Sequence, residues 1–283
     1  AGCVALGNAE NTIDNTLVMR RAMQYATTFD LTVFLNALDP WLKGNGCVHE
    51  GEVSTRLGLP VIPEAAETVA LARELALIET TGARGHITQL SCARSVAQLA
   101  DARERDLAVT AAVSAHHLHL SEQDIGEFDT RCHVIPPLRS LTDRNGLRQG
   151  LTDGVIEAIC SDHQPHGLDA KLAPFSESSP GIAGLETLLS LTLKLVDEGV
   201  LKLPEAVAAL TANPARILGI DTGQLSIGAR ADLCVFDPTE QWQVDAEKLR
   251  SNGTNTPFDG QSLPGVVRWT LVSGEVVFAH DKE

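Results

Sequence analysis

The stretch Glu157–His166, EAICSDHQPH, gathers Ser161, Asp162, His163 and His166 at the end of a short apolar run, Ala158-Ile159-Cys160. A buried strand reads this way. An apolar strand that stops abruptly at Asp-His is how a (β/α) barrel presents chemistry, at the carboxyl end of its sheet. In that place Asp162 can ligate a metal, take a proton from water, or do both. His166 lies beyond Pro165, so it belongs to a loop rather than to the strand face. The simpler reading is a turn whose Asp and His bond local backbone. Which of the two holds depends on the elements around the stretch.

Those elements alternate. Cys3–Leu6, Leu31–Leu35, Gly85–Leu90, Leu107–Val113 and Ala158–Cys160 read as strands. Between and after them the spacing predicts helices: from an Asp14 or Asn15 cap to Ala26, from Pro63-Glu64 to about Thr80, from Ser95 to Arg105, from Gly184 to Asp197 and from Pro204 to Thr211. Strand and helix recurring at this interval argue for βαβ units and a parallel sheet. After about Gly219 the pattern changes to short strands separated by turn residues, around Gly223–Leu225, Ala231–Phe236, Val266–Val272 and Gly274–Phe278. The expected fold is therefore α/β: a (β/α)8 TIM barrel over 1–218 and a small appended β-sandwich module over 219–283. The opening AGCVAL reads as the middle of a strand, and fewer than eight barrel strands are counted. The absent N-terminal strands are expected upstream of residue 1.

Composition bounds the function. The 283 residues carry a net charge of −15, which argues against nucleic acid, whose phosphates need a basic face. No run of 18 apolar residues offers a membrane span. Six scattered cysteines without a CxxC pair argue for reduced thiols, a cytoplasmic setting and no zinc-finger-type site.

An ordered set of motifs then resembles one family. Ser161–His166 with Ala173-Pro174-Phe175, Pro180-Gly181 and Glu186 is similar to the last barrel strand and active-site loop of dihydroorotases, cyclic amidohydrolases of pyrimidine synthesis. Pro136–Ser140 resembles their PPLR segment, and His116-His117-Leu118 their HHL segment. His49-Glu50-Gly51 and Gly58-Leu59-Pro60 match a connecting loop. Asn255–Phe258 and the run from Gly223 to Leu233 resemble the C-terminal module. The resemblance extends over essentially the whole chain. It implies a barrel of the metal-dependent amidohydrolase type, in which two zinc ions activate a hydroxide and an Asp at the last strand shuttles the proton.

Carried over residue by residue, the resemblance leaves Asp162 as the remnant general base. It puts His166, Pro180 and Gly181 at the substrate. Where the family has metal ligands this chain has Asn8, Asn36 and Gln89, and where it has a substrate-orienting Asn before PPLR this chain has Ile135. Amide oxygens are poor zinc ligands beside imidazole or carboxylate. The implied protein is a dihydroorotase-like barrel without activity and without an expected cofactor. By resemblance to non-catalytic relatives its partner is the aspartate transcarbamoylase catalytic chain, in a homo- or hetero-oligomer. The alternatives are an active zinc dihydroorotase, hydrolysing dihydroorotate to N-carbamoyl-aspartate, or another cyclic amidohydrolase such as a dihydropyrimidinase or allantoinase.

Other histidines read as structural. His86 lies three residues before Gln89 on one strand, so alternation puts it on the opposite face. Adjacent His116 and His117 in extended chain would point apart, which disfavours a metal cluster with His119. The Ser-rich segment from His166 to Gly181 reads as a mobile lid.

Overall fold

The computed structural model describes residues 2–8 and 11–280. In chain order the first elements are β1 (Ala5–Gly7), α1 (Thr16–Thr28), β2 (Thr32–Asn36), α2 (Pro40–Lys43), β3 (Val48–His49), α3 (Glu52–Leu57), β4 (Val61–Ile62) and α4 (Ala65–Thr81). Then come β5 (Gly85–Thr88), α5 (Ala93–Glu104), β6 (Val109–Ser114), α6 (Leu141–Thr152) and β7 (Ala158–Cys160). The chain continues through α7 (Leu188–Asp197), α8 (Leu203–Leu210) and α9 (Ala212–Leu218) to β8 (Leu233–Gln243), β9 (Ser262–Val272) and β10 (Glu275–Ala279).

The main sheet has five strands in the order β1-β2-β5-β6-β7, all parallel. Parallel pairing requires crossovers, and the helices supply them. Leu35 of β2 and Ile87 of β5 face outward into the main core, together with Leu71, Leu75 and Ile78 of α4. The helix starts follow their local chemistry. The Asn15 side chain accepts from the amides of Leu17 and Val18, which have no partner within α1. Gly82, at φ 69°, ends α4 in the left-handed conformation that a glycine adopts without penalty.

Four helices are absent from the expected pattern: the short α2 and α3, and α6 and α9. Ser140 and Asp143 form a capping box at the start of α6, a signal present in the sequence. Gly146 and Gly150 blur its apolar spacing, and the packing explains Gly146. An added Cβ there would lie 2.4 Å from Ala93 Cβ, because α5 and α6 touch at that point. Gly146→Ala should therefore destabilise the protein by about 1–3 kcal/mol through overpacking, although alanine gains about 1 kcal/mol in helix propensity. Urea unfolding measures the sign, and a stabilised variant would show that the helices can part freely.

The appended β module follows the barrel as expected. Among the described residues the C-terminal module has one three-stranded antiparallel sheet, β10-β9-β8, lying on α7. Gly223–Leu225 is not a strand. Residues 253–258 leave this sheet and return to the barrel, where Asn255 and Phe258 are buried.

Candidate functional site

Parallel register brings the carboxyl ends of the strands to one edge. Asn36 pairs with Thr88, and Ser114 pairs with Cys160. Beyond β5 and β7 the chain turns through two left-handed residues, Gln89 at φ 53° and Asp162 at φ 45°. Such a conformation is uncommon outside glycine and is held by its surroundings. Here it swings both side chains over the strand ends, where they meet.

The Gln89 amide Nε2 donates to Asp162 Oδ1. Gln164 Nε2 donates to the same oxygen at 3.2 Å, and Ser114 Oγ donates to Oδ2 at 3.1 Å. His116 Nε2 stands 3.8 Å from Oδ2 and makes no hydrogen bond among the described residues. Burial pushes the Asp162 carboxyl above its ordinary value, while donors from Ser114, Gln164 and Gln89 pull the other way. Burial drives His116 down to about 3, so its ring is neutral at ordinary pH.

Asn36, Gln89 and Asp162 line one cavity of about 770 Å³, with Thr88 and Cys160. Asn8 is not among its lining residues; it is exposed, and its amide is bonded to the Asn11 carbonyl. Asn36 also borders a smaller cavity of about 380 Å³ with Lys43, Ile135, Gln164 and Pro180. Ile135 packs against Leu38, Ile62 and Ala66.

His166 and Pro180 are brought together differently from the expectation. The His166 ring Nε2 bonds the Pro180 carbonyl at 2.9 Å, and its backbone amide donates to Asn255 Oδ1 at 2.7 Å. The Gly181 amide donates to the His133 carbonyl at 2.8 Å. At φ 131° Gly181 also leaves room for Gln164, whose Cβ would be 2.5 Å from an added one. The mobile lid is likewise corrected. Residues 166–181 are tied down by buried Phe175 stacked on His133 at 5.0 Å, by Ser178 Oγ with His133 Nδ1 at 2.9 Å, and by Thr130 Oγ1 donating to the Lys171 carbonyl at 2.7 Å.

Both alternation arguments for the histidines are overturned. His86 lines the same cavity as Gln89, because the left-handed turn at Gln89 reverses the side-chain parity. It remains neutral, driven to about 4 by burial, and bonds Thr110 Oγ1 at 2.8 Å. His116 and His117 sit in a 3-10 turn, Ala115–Leu118, with rings in contact at 4.6 Å. His117 bonds the Pro137 carbonyl and His119 the Leu191 carbonyl. Ser114, Gln164 and His116, the other groups around Asp162, were not identified as site residues. Ser114 had a signal: it ends the strand Val109–Ser114 on the face that Thr110 and Ala112 share.

The donors at this edge are one carboxylate, amides and a hydroxyl, with a neutral imidazole beyond bonding distance. Among the described residues no three His, Cys, Asp or Glu side chains converge so as to hold a metal ion. Two amide N–H groups occupy Asp162 Oδ1, and amides and a hydroxyl stand where anionic or imidazole donors are needed, so these residues do not fit a zinc pair. They can hold a carboxylate in place and accept a small polar ligand by hydrogen bonds.

Comparison with known proteins agrees with this architecture. The chain is 48% identical over 97% of its length to a dihydroorotase-like protein of Pseudomonas putida. It is 46% identical over 97% to a dihydroorotase-like protein of Pseudomonas aeruginosa, and 43% identical over 99% to a dihydroorotase of Syntrophus aciditrophicus. It spans 65%, 65% and 66% of those proteins' own lengths. Among solved structures, the L-hydantoinase of Arthrobacter aurescens superposes with a TM-score of 0.83 at 24% identity, over 96% of this chain and 64% of that one. The dihydropyrimidinase of Brevibacillus agri gives 0.84 at 22%, over 97% and 63%. These likenesses show the TIM-barrel type of α/β fold. The amidohydrolase family model matches residues 16–277, nearly the whole chain. The chain belongs to the amidohydrolase family.

Proposed function

We propose that the chain is part of a dihydroorotase-like protein without hydrolytic activity of its own, which supports an aspartate transcarbamoylase assembly in de novo pyrimidine synthesis. The observation that carries the reading is the Gln89 amide on Asp162. A general base needs a free lone pair aimed at the water it deprotonates, and a metal-bridging site needs anionic or imidazole donors. Asp162 instead gives both lone pairs of Oδ1 to Gln89 and Gln164 and one of Oδ2 to Ser114, so a single acceptor site is left, on the oxygen beside His116. The 48% and 46% identity to the two Pseudomonas dihydroorotase-like proteins supports the same reading. The scaffold role rests on the resemblance to non-catalytic relatives. Such a contact would bury roughly 800 Å² per partner or more.

A second reading, a working dihydroorotase or another cyclic amidohydrolase, is favoured by the 43% identity to the Syntrophus dihydroorotase. One set of measurements on the full-length protein separates them. The expected result is substoichiometric zinc, no hydrolysis of dihydroorotate above buffer, and no change with Asp162→Ala. Two zinc ions per chain, with a rate that Asp162→Ala lowers about 10²–10⁴-fold, would establish the second reading. Sedimentation with purified aspartate transcarbamoylase tests the partner. A larger assembly with raised transcarbamoylase activity is expected, and the absence of any complex at micromolar concentration removes the scaffold role.

A further inference from the structure

The opposite end of the sheet holds another polar pocket. At the amino ends of β2, β5 and β6 a cavity of about 410 Å³ is lined by three guanidiniums, Arg84, Arg103 and Arg216, together with Thr32, Thr110 and Glu157. Each arginine arrives from a different element. Arg84 precedes β5, Arg103 lies in the last turn of α5, and Arg216 in α9.

Two of the three are fixed by the fold. Arg103 donates to the carbonyls of Gly154 at 2.7 Å and Val155 at 3.1 Å. The Glu157 carboxylate then bridges Arg103 at 3.5 Å and Arg216 at 3.3 Å through one oxygen. Arg84 is turned to Asp30 by one of its nitrogens. Among the described residues, Nε and one terminal nitrogen of both Arg84 and Arg216 have no protein acceptor. Asp106 also borders the cavity, so the lining side chains sum to three positive and two negative charges. That is a local reversal of sign in a chain of net charge −15.

Planar guanidinium forks suit oxyanions that accept two parallel hydrogen bonds. With Asp106 and Glu157 at the wall, a monoanion gains little, whereas a ligand of higher charge spread over several oxygens can engage the free edges of Arg84 and Arg216 together. We propose that this pocket binds a diphosphate group, free or at the end of a small ester. The site is independent of the chemistry at Asp162, since none of its lining residues borders the cavity there.

Calorimetry of the full-length protein with inorganic pyrophosphate tests the proposal, against sodium sulfate at matched ionic strength. The expected result is a dissociation constant below about 1 mM for pyrophosphate, at least about tenfold tighter than for sulfate. Arg84→Met should weaken it about tenfold or more, Arg216→Lys should weaken it less, and Arg144→Met, on another face, should leave it unchanged. Side chains of Arg84 and Arg216 are 50% and 58% exposed, so these variants keep the fold, which circular dichroism verifies. Binding of methyl diphosphate more tightly than pyrophosphate would mark an esterified ligand. No heat at about 10 mM pyrophosphate, equal binding of sulfate, or wild-type affinity in Arg84→Met would overturn the proposal.

Discussion

Replacing Arg139 with methionine is expected to lower folding stability by about 3–5 kcal/mol, the cost of leaving a buried carboxylate without its cation. The Arg139 side chain is 1% exposed and that of Glu67 2%. Arg139 Nε donates to Ser91 Oγ at 2.7 Å, one terminal nitrogen meets His49 Nδ1 at 3.2 Å, and the other stands 3.8 Å from Glu67 Oε2. Burial, then the Arg139 charge, hold the His49 pKa below its usual value, which suits an imidazole that accepts from Arg139. Glu67 also takes the backbone amides of Ser91 and Cys92 and the Ser91 hydroxyl.

Without Arg139 these neutral donors remain, but the charge stays buried in a medium that solvates it poorly. The loss is a large fraction of the roughly 5–15 kcal/mol that a domain holds. The pair also fixes the turn after β5 that aims Gln89 at Asp162, so the effect reaches the candidate site. Urea unfolding of Arg139→Met and of Arg139→Met/Glu67→Gln checks the argument. The double variant should recover part of the loss, because the stranded charge is gone. A single variant within about 1 kcal/mol of wild type, or a double variant no better than the single, would show that the pair is not what holds this turn.

Acid should unfold the protein cooperatively between about pH 6 and 4, above the range set by ordinary carboxylates. Buried and half-buried histidines are the cause. Burial drives His86, His119 and His133 down to about 4 and His116 to about 3, and it lowers His117 and His49 too. An unfolded histidine titrates near 6.5, so below about pH 6.5 the unfolded chain takes up protons that these rings refuse. Their contribution is fully present above that value and falls with falling pH, by about 1.4 kcal/mol per pH unit for each ring.

Asp162, Glu74 and Glu122 act in the opposite sense, since burial raises their pKa values and the folded protein binds their protons first. They offset part of the loss, over the narrower interval above their unfolded values. Near-UV circular dichroism across pH 7 to 3.5 measures the midpoint. His86→Gln keeps a bonding group for Thr110 but cannot titrate, and should move the midpoint to lower pH. A protein that keeps its native signal and a cooperative thermal transition at pH 4 would contradict this account.

The succession of elements was legible because each is specified locally. The apolar runs that became β2, β5, β6 and β7, and the capping residue of α1, lie within a few residues of what they determine. The end of β7 at Asp162 was legible for the same reason: an apolar run meets a polar turn. The module after Gly219 was read as strands, but its pairing into one sheet beside α7 was not, since that depends on partners far along the chain.

The surroundings of Asp162 belong to the tertiary structure alone. Gln89, Ser114 and Asp162 are separated by 73 and 48 residues in sequence and meet because parallel register aligns their strand ends. Strand parity placed His86 and Gln89 on opposite faces, and a left-handed residue cancelled that rule. The lid from His166 to Gly181 looked free because its composition is polar and small; the contacts that hold it come from His133 and Asn255. The arginine pocket has no signature at all in the sequence, since its three guanidiniums are contributed by three distant elements. Sequence thus determined which segments are strands and helices and where the Asp162 carboxylate falls, because both are set by neighbours in the chain. Only the packed sheet decided what that carboxylate touches, because hydrogen bonds and charges act through space and the register of the strands chooses their partners.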